Sequence, residues 1–98
     1  MPYITEDKRN EIEFDDRYFS LPSSIDNLIK NIDCAGDLNY TITRLTHEYL
    51  KKFGEKYQVY NDIVGVLECA KLELYRRLAA PYEDYKAEQN GDVKPILQ

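Results

Sequence analysis

Residues 68–77 read ECAKLELYRR, from Glu68 to Arg77. A helix at a protein surface should show one apolar and one polar face, but this stretch and its flanks are apolar on two sides. At 100° per residue, Ile63, Val66, Leu67, Ala70, Leu74 and Leu78 fall on one face. Val64, Leu72, Tyr75 and Ala79 fall on the other, with Gly65 beside them. A monomeric three-helix bundle needs one such face per helix. The second needs cover from a fourth helix, from the N-terminal arm or from another subunit, and a homo-oligomer joined through this helix is the expectation. Between the faces, Glu73 and Arg77 are spaced i, i+4, and Glu68 and Lys71 i, i+3, pairs worth about 0.2–0.5 kcal/mol when exposed. Glu68, Lys71 and Tyr75 share the second face and form a candidate polar cluster. A solvated helix face is the plainer explanation of the same residues.

This helix is expected to run from about Asp62, after an N-cap at Asn61, to Ala80. Pro81 then kinks it or opens a short fourth helix, PYEDYKAEQ, closed by Asn90-Gly91. Upstream, DLNYTITRLTHEYLKKFG predicts a helix from about residue 38 to Phe53, stopped by Gly54. Its apolar stripe is Leu38, Ile42, Leu45, Tyr49 and Phe53, widened by Leu50. The segment EKYQVY between these two helices reads as a loop. Before them, PSSIDNLIKNIDCAG predicts a helix capped by Ser23 or Ser24 and ended by a left-handed Gly36. The fold class is therefore all-α, a small three- to four-helix bundle. Its expected organisation is an irregular acidic arm over residues 1–22, a helical domain over 23–93 and a tail over 94–98.

Ninety-eight residues make one domain, and a chain this short buries a modest share of its surface alone. The formal charge of −5 argues against duplex nucleic acid as a partner. The acidity lies at the ends. Residues 1–36 hold eight acids and four bases, whereas residues 37–60 hold three and four. Cys34 and Cys69 are expected to be buried free thiols, outside any close Cys/His motif. With His47 the single histidine, no metal site and no cofactor are expected. The opening residues lack the apolar run of a signal peptide, and no stretch has the ~20 apolar residues that span a bilayer. A cytoplasmic protein that does not enter membranes is the expectation, in a host cytoplasm if a phage encodes it.

The stretches MPYI, GDLNYTITRL, NDIVGVLECAKLELYRR, PYED and NGDV are similar to an uncharacterised family of small all-α proteins of bacteria, archaea and tailed phages. The resemblance covers roughly residues 36–93 and the first four. It implies a compact helical fold and a phage or prokaryotic setting, and it brings no catalytic residues. The segment between MPYI and the first helix is longer here than in that family.

The second helix holds the main candidate site. Tyr40, Arg44, His47 and Lys51 fall at i, i+4, i+7 and i+11, with Thr43 adjacent. A ring among cationic groups can stack a base and hold a phosphate. A solvated face is again the plainer alternative. No nucleophile elbow, P-loop or H-E-x-x-H motif occurs. An all-α nucleotide pyrophosphohydrolase of the MazG type would need paired carboxylates on neighbouring helices. Glu68 with Glu73, and Glu83-Asp84 beyond a proline, do not match that spacing. The favoured expectation is an oligomeric, non-enzymatic binding protein for a nucleotide-like anion, sequestering such a signal in host defence. The alternatives are a protein–protein interaction module acting on a host protein, as inhibitor or regulator, and the MazG-like enzyme.

Overall fold

The structure is a computed structural model that describes residues 4–14 and 20–94. Every regular element in it is helical: α1 (Glu6–Glu13), α2 (Leu21–Ile29), α3 (Ala35–Phe53), α4 (Tyr57–Leu74), a π-turn (Tyr75–Ala79) and α5 (Ala80–Asn90). The all-α class expected from the sequence is what the chain adopts. It divides into two compact units, Met1–Ile63 and Val64–Gln98.

In the first unit, the arm expected to be irregular contains α1. Thr5 starts it, its side chain accepting from Lys8 N at 3.2 Å. Glu6 and Asp7 sit in the first turn, where the helix dipole favours acids. The arm's acidity is thus partly helix-start chemistry. Ser20 then caps α2 by accepting from Ser23 N at 3.2 Å, and Pro22 fits the first turn. This helix starts earlier than expected and stops at Ile29.

Gly36 does not end a helix. It lies in the first turn of α3, and the glycines with positive φ among the described residues are Gly54 and Gly91. What separates α2 from α3 is Asp37. Its carboxylate reaches back to accept Asp33 N at 3.0 Å and takes further hydrogen bonds from Cys34. Three residues after the extended N-cap Cys34, this is the back half of a capping box. These hydrogen bonds favour the charged form and hold the Asp37 carboxyl below its ordinary range. At the far end Lys51 and Lys52 suit the negative pole, and Gly54, at φ 91, takes a conformation that strains other residues.

α4 starts at Tyr57, so most of the expected EKYQVY loop is helix. Gln58 donates to Asp62 Oδ1 at 2.8 Å across one turn, and Tyr60 Oη donates to Glu55 Oε1 at 2.6 Å. Val59, in this early turn, is 8% exposed and is the one buried hydrophobic residue among those described.

In the second unit, the expected choice at Pro81 between a kink and a new helix is resolved by a π-turn. A proline inside a helix lacks its N–H, and its ring clashes with the carbonyl four residues back. Here Ala80 N bonds Tyr75 O, five residues back, so the helix widens just before the proline and continues as α5. Gly91 at φ 86 closes it, the stop that Asn90-Gly91 predicts. The expected tail beyond residue 94 lies outside the described residues.

Candidate functional site

The polar face of α3 follows from its 19-residue length, which places Tyr40, Thr43, Arg44, His47 and Lys51 along one side. All five are exposed, Tyr40 at 62%. The Arg44 pKa is raised above its ordinary value, first by hydrogen bonding to the Tyr40 phenol oxygen and then by the Glu48 carboxylate. Arg44 Nη2 also stands 3.9 Å from Glu48 Oε1, at i, i+4. The ring and the guanidinium that the sequence places one turn apart lie on the same exposed face of α3. Thr43 spends its carbonyl on Thr46 Oγ1 at 2.7 Å.

Beside Tyr40 lies an open hollow of about 340 Å³, between the end of α2 and the first half of α3. Asn27, Leu28, Asn31, Ile32, Asp37, Tyr40 and Thr41 line it. Of these, the sequence singled out Tyr40 alone as a site residue. The hollow depends on where α2 stops and α3 begins, and the capping role of Asp37 is the one signal in the sequence that locates that break. Its single formal charge is the Asp37 carboxylate, so the hollow itself does not attract an anion. The cationic groups lie further along α3.

On α4, Lys71 Nζ meets Glu68 Oε1 at 2.9 Å, as the spacing predicts. Tyr75 turns to a residue the sequence reading did not connect with it. Its pKa is raised chiefly by the charge of Glu83 and by a hydrogen bond to that carboxylate, across the π-turn. Arg77 Nε meets Glu73 Oε1 at 2.8 Å, and Arg76 Nη2 meets Glu73 Oε2 at 3.2 Å. The expected Glu73–Arg77 pair thus forms and gains a second arginine. These pairs are all local and partly or fully exposed, and such pairs add little to stability.

Cys34 and Cys69 are free thiols, but Cys34 is exposed, contrary to the burial expected for it, and Cys69 is half-buried. Cys34 occupies the N-cap of α3, where its own side chain makes no cap hydrogen bond. Among the described residues, no three His, Cys, Asp or Glu side chains come together to hold a metal ion. No helix among them is long and apolar enough to cross a membrane.

The apolar faces are open. On α4, Val64 is 67% exposed, Leu72 53% and Leu74 59%, and Leu78 in the π-turn is 64% exposed. Within the second unit both predicted faces carry exposed apolar side chains, Val64 and Leu72 on one and Leu74 and Leu78 on the other. The α3 stripe of Leu38, Ile42, Leu45, Tyr49 and Phe53 is exposed as well, with Tyr49 and Phe53 rings 4.6 Å apart.

Residues 1–93 match the family model described as a Domain of unknown function (DUF6899), and the chain belongs to that family. No curated protein and no solved structure matches it.

Proposed function

We propose that this DUF6899 chain is a helical protein-interaction module that works by laying apolar helix faces against another polypeptide. The observation that carries the reading is the exposure of Val64 and Leu72 on one face and of Leu74 and Leu78 on the other, over residues 64–78. Isolated exposed hydrophobics are ordinary, whereas large contiguous apolar surfaces mark interaction sites. A helix with apolar residues on two sides needs cover on both. The sparse local ion pairs do not offset that exposure. The MazG-like alternative needs clustered carboxylates, an arrangement that the described residues do not supply. The test is amide hydrogen exchange over residues 57–79, with the chain alone at high dilution and with its partner bound. Fast exchange that slows on binding supports the reading, and slow exchange in the dilute chain alone counts against it.

A second reading rests on the exposed face of α3, where Tyr40, Arg44, His47 and Lys51 follow one another at helical spacing. We propose that the polar face of α3 holds a phosphorylated, nucleotide-like ligand, with Tyr40 stacking a base and Arg44, His47 and Lys51 meeting phosphate. This face points away from the α3 apolar stripe, so it remains available in an assembly. A panel of mono-, di- and cyclic nucleotides in a thermal-shift assay tests it, because a ligand that binds the native state raises the melting temperature.

A further inference from the structure

Asp37, Tyr40, Arg44, His47 and Lys51 follow one another along α3, and the hollow at the α2–α3 break spans the first two of them. The line changes sign along its length. It starts at the Asp37 carboxylate, and its cationic groups begin at Arg44, roughly 10 Å further along the helix axis. We infer that the hollow and the cationic face form one site for a nucleoside phosphate, with base and sugar in the hollow and phosphate at Arg44 and Lys51. The inference rests on the nucleotide reading above and deepens it. It fixes the direction of the ligand and names the residues that tell a nucleotide from bare phosphate.

Three observations support it. The first is what the hollow offers. Asn27 and Asn31 each present a carboxamide, donor and acceptor together, and neither side chain makes a hydrogen bond among the described residues. Thr41 Oγ1 donates to Asp37 O at 2.9 Å and keeps its own lone pairs. The Asp37 carboxylate accepts Asp33 N at 3.0 Å and has further acceptor sites. This lining suits the hydroxyls of a sugar and the amino and ring-nitrogen groups of a base, and Leu28 and Ile32 add apolar contact. The second is what the hollow refuses. Hydrogen bonds from Asp33 and Cys34 hold Asp37 in its charged form, and its position in the first turn answers the positive pole of α3. Phosphate is therefore repelled from the hollow and drawn to the far part of the line. The third is Tyr40. Its ring is 62% exposed and lines the hollow one turn before Arg44, so it offers a base a stacking surface between the two ends. Glu48 Oε1 stands 3.9 Å from Arg44 Nη2, an exposed pair at the limit of contact that phosphate displaces readily. All of these residues belong to the unit Met1–Ile63.

The test is a titration of the isotope-labelled full chain followed by nuclear magnetic resonance. The probes are the panel of mono-, di- and cyclic nucleotides, the matching nucleosides and inorganic phosphate. The expected result is a nucleotide that shifts the Asn27 and Asn31 carboxamide signals together with the backbone amides of residues 44–51. Its nucleoside is expected to shift the carboxamides alone and inorganic phosphate the 44–51 amides alone, each at least about tenfold more weakly. Asn27→Ala and Asn31→Ala, at exposed positions, are expected to weaken that nucleotide about tenfold each. Both should leave phosphate binding and helix content unchanged. A nucleotide that shifts residues 44–51 and not the carboxamides overturns this inference and leaves the nucleotide reading of the α3 face standing. Full nucleotide affinity in both asparagine variants has the same meaning. Inorganic phosphate binding as tightly as every nucleotide overturns the inference and that reading together, and so does a panel in which no nucleotide binds.

Discussion

α3 and α4 are nearly the same length and meet opposite fates. α3 has one apolar stripe, a cationic polar face, a start fixed by Asp37 and a stop fixed by Gly54. α4 has apolar residues on two sides and balanced charge, and it does not stop, passing through the π-turn into α5. The difference is one of sidedness. A one-sided helix needs a single neighbour and leaves a face free for solvent or ligand. A two-sided helix needs an interior. Among the described residues Val59 is the one buried hydrophobic residue, and it lies in the first turn of α4, before the two-sided stretch begins.

The strongest way to break this contrast is to place a charge on each helix. Leu72→Glu puts an unpaired carboxylate on α4 and should weaken a complex that covers this face by about 3–5 kcal/mol, the usual penalty for an uncompensated buried charge. Measured by denaturant unfolding, Arg44→Glu on the polar face of α3 should change stability far less. Equal losses would mean that both helices are buried all round.

Next in size is the stop of α3. Gly54→Ala forces a side chain onto a backbone at φ 91 and should destabilise by about 1–2 kcal/mol. The same change at Gly65, helical and with open space around it in the single chain, should stabilise the isolated helix by roughly 0.5–1 kcal/mol. Loss of stability there instead would show that a neighbouring copy occupies the space.

A smaller effect concerns ligand binding. If α3 holds a phosphorylated ligand, Arg44→Ala should weaken it by roughly tenfold to a hundredfold. The molecular mass read by light scattering should not change. A fall in mass would make the polar face an interface.

Two titrations sharpen the local picture. The Asp37 carboxyl is lowered in the folded chain by hydrogen bonds from Asp33 and Cys34. Its contribution is therefore present above the unfolded value and is lost as pH falls through the lower folded value. Helix content should fall in that acid window, and Asp37→Asn should flatten this part of the curve. At the other end of the pH scale, Glu83→Gln should bring the Tyr75 pKa down towards that of a free tyrosine, read from phenolate absorbance. No change would mean that Tyr75 and Glu83 do not meet across the π-turn.

Much of this was legible in the sequence. The helix period, the stops at Gly54 and Gly91, and the Glu68–Lys71 and Glu73–Arg77 pairs are local features, set within a turn or two. The misreadings share a cause. Gly36 resembles a helix stop, but glycine is also tolerated in a first turn, and Asp37 decides between the two by capping backwards. The EKYQVY stretch lacks a strong periodic signal, yet nothing in Gln58-Val59-Tyr60 opposes a helix once Asp62 pairs with Gln58. The link from Tyr75 to Glu83 was not legible because the π-turn shifts the register by one residue, so ordinary helix spacing misplaces everything beyond it. As for the candidate site, periodicity placed Tyr40 and Arg44 together, but the hollow beside them depends on the α2–α3 break.

The most direct test of whether a second copy covers the apolar faces of α4 is the dependence of thermal unfolding on protein concentration. If folding and association are one event, each tenfold rise in concentration should raise the melting temperature by a few degrees, on the order of 4 °C for a dimer of this size. A melting temperature independent of concentration over two decades, with a single cooperative transition, would contradict the account.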